Sequence, residues 1–197
     1  MESSLRFQEL LETSGAFKTG HFLLASGRHS GQYVEKFDLL RRPKEATIAC
    51  DMIADAFHDK GIDVVAGPTT GGIILAYDVA RYLGCAAAYA ERKSDGGSER
   101  EFRRGTTFAA GARVLVVDDI LTTGGSLRET LAALAVQPVD VVGIAVLVDR
   151  SGGAVDFGVP LNALTQLDIE TWEAGECPLC AEGQPLIKPG STTATAR

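Results

Sequence analysis

Val114-Leu-Val-Val-Asp-Asp-Ile-Leu-Thr-Thr-Gly-Gly-Ser126 is the stretch on which the reading of this chain turns. Val114 to Val117 are apolar and mostly β-branched, which predicts a buried strand. Asp118 and Asp119 stand where that strand is expected to end. Thr122, Thr123, Gly124, Gly125 and Ser126 then make a small turn rich in hydroxyls, and a helical pattern follows from about Leu127 to Ala135. This order suits an anion. Glycines let the backbone approach a ligand closely, and the N–H groups of a helix start point at phosphate. The hydroxyls of Thr122, Thr123 and Ser126 add donors. The paired carboxylates repel phosphate and suit sugar hydroxyls, a divalent cation, or both. The stretch reads as a cradle for a phosphorylated sugar. The turn lacks the Gly-Lys-Ser/Thr ending of a P-loop. An ordinary strand-to-helix connection also favours Asp, Thr and Gly, but does not require all of them in this register.

Outward from the cradle, strands alternate with helices. Asp63 to Ala66 is a short apolar strand, Gly67-Pro-Thr-Thr-Gly-Gly72 a turn, and Ile73 to Leu83 a helix. Ala86 to Ala90 and Val139 to Val148 are further strands, with a polar stretch lacking any core pattern at 91–106. The alternation predicts an α/β fold, a doubly wound and mainly parallel sheet. Such sheets bind ligands beyond the carboxyl ends of their strands. The turns at 67–72, 118–126 and 149–153 all follow strands, so they are expected to converge.

On the N-terminal side, residues 4–14 read as an amphipathic helix with Leu5, Leu10 and Leu11 turned inward and Gly15 as its stop. Phe17 to Lys36 shows period-two apolar hints broken by Gly20, Gly27 and Gly31, the pattern of a strand pair. Pro43 opens a helix expected to reach about Lys60, with Ile48, Met52, Ile53, Ala56 and Phe57 as its apolar stripe. The tail after Lys188, rich in Ser, Thr and Ala, is expected to be disordered.

With 197 residues, 45% of them hydrophobic, the chain has material for one core. Its formal net charge of −7 opposes nonspecific nucleic-acid binding, which needs a basic surface. A local cluster of cations still permits an anionic metabolite. The N-terminus has no apolar signal segment, and no apolar run approaches membrane-spanning length, so a cytoplasmic protein with no membrane partner is expected. Cys50 and Cys85 lie in apolar segments as small core residues. Cys177-Pro-Leu-Cys180 offers only half of a four-ligand zinc site, with no second pair and with His21, His29 and His58 far away in sequence. The expectation there is a surface turn with two free thiols.

Val116 to Ser126 resembles the phosphoribosyl-pyrophosphate (PRPP) signature of type I phosphoribosyltransferases. Three further segments resemble orotate phosphoribosyltransferases within that class. His21-Phe-Leu-Leu-Ala-Ser-Gly-Arg-His-Ser30 is similar to their N-terminal segment, where a Ser-Gly-Arg turn leads into a hood over the base. Glu91-Arg-Lys93 is similar to their Arg-Lys pair at a loop start, and Val148-Asp-Arg-Ser-Gly-Gly153 to the turn carrying an arginine for the base. The resemblance spans about residues 15–153. It departs from the pattern at Ala25, where many relatives have lysine, and at Thr69-Thr70, where many have Tyr-Lys. The loop from Ser94 to Gly105 also lacks a further Lys and a His in register. A purine phosphoribosyltransferase, or a regulator that kept the PRPP pocket, is the rival. Neither needs an arginine for a base carboxylate.

The resemblance implies an N-terminal helix and hood over residues 1–40, a PRPP-binding core over 41–170 and a C-terminal extension over 171–197. It implies PRPP contacts from Arg92, Lys93, Asp118, Asp119, Ile120, Leu121, Thr122, Thr123, Gly124, Gly125 and Ser126, and orotate contacts from Thr122 and Arg150. Lys93 and Asp119 carry the catalytic expectation. Magnesium is implied as cofactor, held through substrate near Asp118 and Asp119 with no direct protein ligand. A homodimer with shared sites is implied, because the family's loop commonly reaches the neighbouring subunit. Arg100, Arg103 and Arg104 are weaker pyrophosphate candidates. The near balance of signs in this loop also fits a solvated hairpin of internal ion pairs, whereas Gly96-Gly97 gives the hinge freedom of a lid that closes and excludes water.

Overall fold

The computed structural model describes residues 2–94 and 97–189. Asp95, Gly96 of the expected hinge, and the tail from 190 onward lie outside the described residues.

The chain opens with α1 (Glu2–Thr13), then the hairpin β1 (Phe17–Leu23) and β2 (His29–Val34). Two helices follow, α2 (Lys36–Leu40) and α3 (Pro43–Asp55). The core unit is then β3 (Val64–Pro68), α4 (Gly71–Leu83), β4 (Ala86–Arg92), β5 (Arg100–Phe102), β6 (Ala112–Leu121), α5 (Gly125–Ala135), β7 (Val139–Asp149) and β8 (Leu161–Gln166). It closes with β9 (Thr171–Trp172), a short 3-10 turn at 174–176 and α6 (Pro178–Ala181).

The large sheet has the order β5-β4-β3-β6-β7-β8. All its pairings are parallel except that of β5 with β4. Helices cover both faces, and the strands record this residue by residue. Leu115, Val117, Ala145 and Leu147 enter one core, with Ile53 of α3 and Leu75 and Val79 of α4. Val114, Val116, Ile144 and Val146 enter the other, with Leu127 and Leu134 of α5. That period of two is the pleat, and it explains why β6 and β7 read as continuous apolar runs. The chain runs from β3 outward to β4, then returns to place β6 on the other side of β3. The switch point therefore lies between β3 and β6, where such sheets leave a crevice.

The sheet matches the doubly wound expectation, but several local expectations fail. Leu5 is 65% exposed, and the buried face of α1 is Phe7 with Leu11. The helix opened by Pro43 ends at Asp55. Its buried residues are Ala46, Ala49, Cys50, Ile53 and Ala54, while Ile48 and Ala56 face outward. The stretch 91–106 is not all surface loop, since Arg100 to Phe102 joins the sheet and Arg100 is buried. β6 does not stop before the acid pair. It continues to Leu121, with Asp118 opposite Val146 and Ile120 opposite Val148. A buried carboxylate is tolerated in a strand when polar partners meet it.

The smaller sheet is the hood, in the order β1-β2-β9. Its third strand comes from the C-terminal segment, with His29 opposite Trp172 and Ser30 opposite Thr171. Arg28 of the Ser-Gly-Arg turn secures the same junction. Its Nε donates to the Thr171 hydroxyl at 2.9 Å and its guanidinium to the Thr171 carbonyl at 2.8 Å. Further on, Leu23 N donates to Ile187 O and Ile187 N to His21 O, each at 2.8 Å. Cys177 is buried rather than part of a surface turn, and both histidines of the hairpin lie beside it.

Candidate active site

Asp118 and Asp119 are both buried near the end of β6. Asp118 Oδ1 accepts from the Asp119 amide at 2.8 Å, and its Oδ2 from the Ser126 hydroxyl at 2.6 Å. Asp119 Oδ1 accepts from the Ile120 amide at 2.8 Å and from Lys36 Nζ at 2.9 Å. Lys36 Nζ also lies 2.8 Å from Asp119 Oδ2. Burial pushes the Asp118 carboxyl up to about 6, the Asp119 charge pushes the same way, and the Ser126 hydrogen bond opposes both.

Lys36, at the start of α2, lines the site and was missed by sequence reasoning, as were Arg28, Tyr33 and Thr171. No spacing rule links Lys36 to Asp119 across 83 positions. The available signal was chemical, because two adjacent buried carboxylates require a cation.

The turn after β3 closes on the acid pair. A Cβ on Gly71 would lie 2.0 Å from Asp119 Oδ2, and one on Gly67 would lie 2.4 Å from the Gly72 carbonyl oxygen. These glycines are required by close approach, so the 67–72 and 118–126 turns do meet. Gly124 adopts a left-handed φ of 78°, and a side chain there would strike Phe157 and Val155. Behind it α5 begins at Gly125, so its first N–H groups lack partners within the helix. Thr122 and Thr123 are exposed above that helix start. Ser126 departs from expectation, because its hydroxyl is given to Asp118 and only its amide remains for an anion.

The third turn joins the other two. Arg150 N donates to Leu121 O at 2.8 Å. Leu121 itself is buried in the core, so its side chain offers a ligand nothing. A cavity of about 900 Å³ lies over this junction, walled by Lys36, Asp119, Ile120, Thr122, Thr123 and Arg150. Arg28, Tyr33 and Thr171 of the hood line its far side. Arg150 Nε and Ser151 Oγ are buried without a hydrogen-bond partner among the described residues. Burial holds the Arg150 pKa below the ordinary arginine value, with Tyr33 opposing. A buried guanidinium N–H left unpaired is costly, so this wall is built for an acceptor that arrives with a ligand.

The loop cations stand apart from this cavity. Lys93 pairs with Glu99, Arg103 with Glu101 and Arg104 with Glu91. Lys93 lines a separate groove of about 740 Å³ against Arg128 and Glu129 of α5. Arg92 is exposed in β4, opposite Arg100. Arg100 points inward, its Nε 3.0 Å from Glu129 and its guanidinium donating to Thr69 and the Ala90 carbonyl at 3.1 Å. Of the two residues expected to act in catalysis, Asp119 lines the cavity and Lys93 does not.

The switch-point acid pair, the glycine turn against it and the helix start beyond define the protein as a phosphoribosyltransferase. The family described as "Phosphoribosyl transferase domain" matches residues 38–158. The orotate phosphoribosyltransferase of Caldicellulosiruptor bescii is 46% identical over 183 residues, 93% of this chain and 95% of its own length. That of Thermotoga maritima is 41% identical over 184 residues, covering 93% of this chain and 97% of the relative. The crystal structure of orotate phosphoribosyltransferase from Aeropyrum pernix superposes with a TM-score of 0.70 at 30% identity, over 81% of this chain and 92% of that one. The chain belongs to the orotate phosphoribosyltransferase family.

Proposed function

We infer that the protein transfers the ribose-5-phosphate group of PRPP to orotate, giving orotidine 5′-monophosphate and pyrophosphate in pyrimidine biosynthesis. The observation that carries this reading is one cavity with Asp119 of the buried acid pair on one wall and Arg150, whose buried Nε is unpartnered among the described residues, on another. Asp118 and Asp119 accept hydrogen bonds from the ribose hydroxyls. The amides of Gly125 and Ser126, with the hydroxyls of Thr122 and Thr123, hold the 5′-phosphate. Orotate carries a carboxylate, and the planar fork of Arg150 matches it with two parallel hydrogen bonds while Thr122 contributes a hydroxyl. The reaction at the ribose C1 passes through an oxocarbenium-like state, so the protein's task is positioning and charge stabilisation.

Magnesium fits the site by donor chemistry. The acid pair offers hard oxygen donors, but Asp119 already faces Lys36, so the ion would be held mainly through substrate oxygens. When bound, it neutralises charge on the departing pyrophosphate. Arg92 and Lys93 complete the pyrophosphate site from a loop that closes over it and excludes water. Lys93 lies outside its own chain's cavity, which is consistent with a loop that serves the neighbouring subunit of a homodimer. No helix among the described residues is long and apolar enough to cross a membrane. The net charge of −7 opposes a nucleic-acid partner.

Assays of orotate, adenine, hypoxanthine and uracil with PRPP test the substrate. Turnover of orotate alone is expected. Turnover of a purine without orotate would reverse the assignment, and no turnover with any base would favour a regulator.

A further inference from the structure

Four side chains outside the lining of the active-site cavity share one point of the hood. His21 comes from β1, His29 from β2, Cys177 from the end of the 3-10 turn and Cys180 from α6. One donor atom from each lies within 4.8 Å of all the others. His21 Nε2 is 3.0 Å from His29 Nδ1 and 3.4 Å from Cys177 Sγ. Cys180 Sγ is 3.3 Å from His29 Nδ1 and 3.7 Å from His21 Nε2.

These are the edges of a small tetrahedron. Zinc bonds of ordinary length require about 3.3 Å between two nitrogens and about 3.6 Å between nitrogen and sulfur. The outer face of His21 is already set, since its Nδ1–H donates to the Gln184 carbonyl at 2.9 Å. That bond fixes the tautomer and leaves the Nε2 lone pair aimed into the cluster, the usual support behind a metal-bound histidine. His21, His29 and Cys177 are buried, so three of the four donors are already withdrawn from water.

We propose that His21, His29, Cys177 and Cys180 bind a structural zinc ion that clamps the C-terminal segment onto the hood. Two thiolates and two imidazoles satisfy the tetrahedral preference of zinc and leave no open position for catalysis. The hood explains why a clamp is needed. Among the described residues its buried apolar side chains apart from Cys177 are Phe22 and Val34, and β9 is two residues long. Sheets this small need a staple beyond their own core. The clamp holds β9, whose Thr171 faces the cavity, so it also keeps that wall in place.

The proposal does not depend on the transferase reading, and metal content tests it directly. The full-length protein, purified without added metal and then exposed to zinc and desalted, should carry about one zinc per chain by elemental analysis. Cobalt in place of zinc should give the visible absorption of a tetrahedral thiolate complex. A strong chelator should lower the melting temperature by roughly 10 °C or more, since a tightly bound ligand of the native state is removed. Cys180→Ser, at the exposed ligand, should lose most of the zinc and of the chelator effect, whereas Cys85→Ser should keep both. Three results would overturn the proposal: under a tenth of an equivalent of zinc with no chelator effect, a Cys177–Cys180 disulfide in the native protein, or full zinc retention in both Cys180→Ser and His21→Ala. Stoichiometric iron resisting exchange would overturn the assignment to zinc.

Discussion

Asp118 is caught between a buried position that disfavours its charge and a proposed role, binding the ribose hydroxyls, that requires it. A carboxyl of this kind ordinarily titrates near 3.8, and burial beside Asp119 pushes that of Asp118 up to about 6 in the fold. Between those values the native state holds more protons than the unfolded chain, so stability falls as pH rises across that window and levels off above it. The melting temperature of the ligand-free protein should therefore decline from pH 4 to 6.5 more steeply than that of Asp118→Asn. Under the proposed role, in which the acid pair accepts from the ribose hydroxyls, PRPP affinity should move the other way over the same window, because the ionised carboxylate is the stronger acceptor. Arg150 yields a second expectation. Arg150→Ala should raise the KM for orotate by about 10- to 100-fold, the value of a charge-assisted hydrogen bond, with a smaller change in kcat. Arg150→Lys should recover only part, since an ammonium cannot form the paired contact. Gly71→Ala places a methyl against Asp119 Oδ2. It should cost about 1–3 kcal/mol of stability in urea denaturation and weaken PRPP binding.

At the scale of elements, the buried parallel strands and α4 and α5 were legible because each is a local apolar pattern that the pleat or the helix period imposes. β5, β8 and β9 were not. Arg100-Glu-Phe102 has no apolar run, β8 is an edge strand whose Asn162, Thr165 and Gln166 interrupt the apolar residues, and β9 exists only because β2 accepts it. Arg100 shows the consequence. In the sequence it belongs to a balanced charge run, but in the fold it ties the loop's return strand to α5 and to Thr69. Arg100→Met should lower stability by about 2–4 kcal/mol in urea denaturation, because it strands Glu129 in a largely buried pair. Lys93→Ala breaks a surface pair and should change stability by less than about 1 kcal/mol.

At the scale of the whole molecule, Lys93 and Asp119 occupy different hollows of one chain, which makes the assembly testable. Lys93→Ala and Asp119→Asn should each lower kcat severely as pure proteins. Subunits of the two variants, mixed and exchanged, should recover about a quarter of wild-type activity, because half the dimers would be hybrids with one intact site. Recovery of none would mean that each chain closes its own loop over its own cavity.

The acid pair, the glycine bend and the helix behind it were readable from residues alone, because neighbours in sequence are bound to be neighbours in space and strand, turn and helix follow from short-range sterics. Pairings across the chain were not. Lys36 meets Asp119, Arg28 meets Thr171, and His21 and His29 meet Cys177 and Cys180. Those meetings depend on which strand lies beside which, and sheet order is set by burying two cores at once rather than by any local preference.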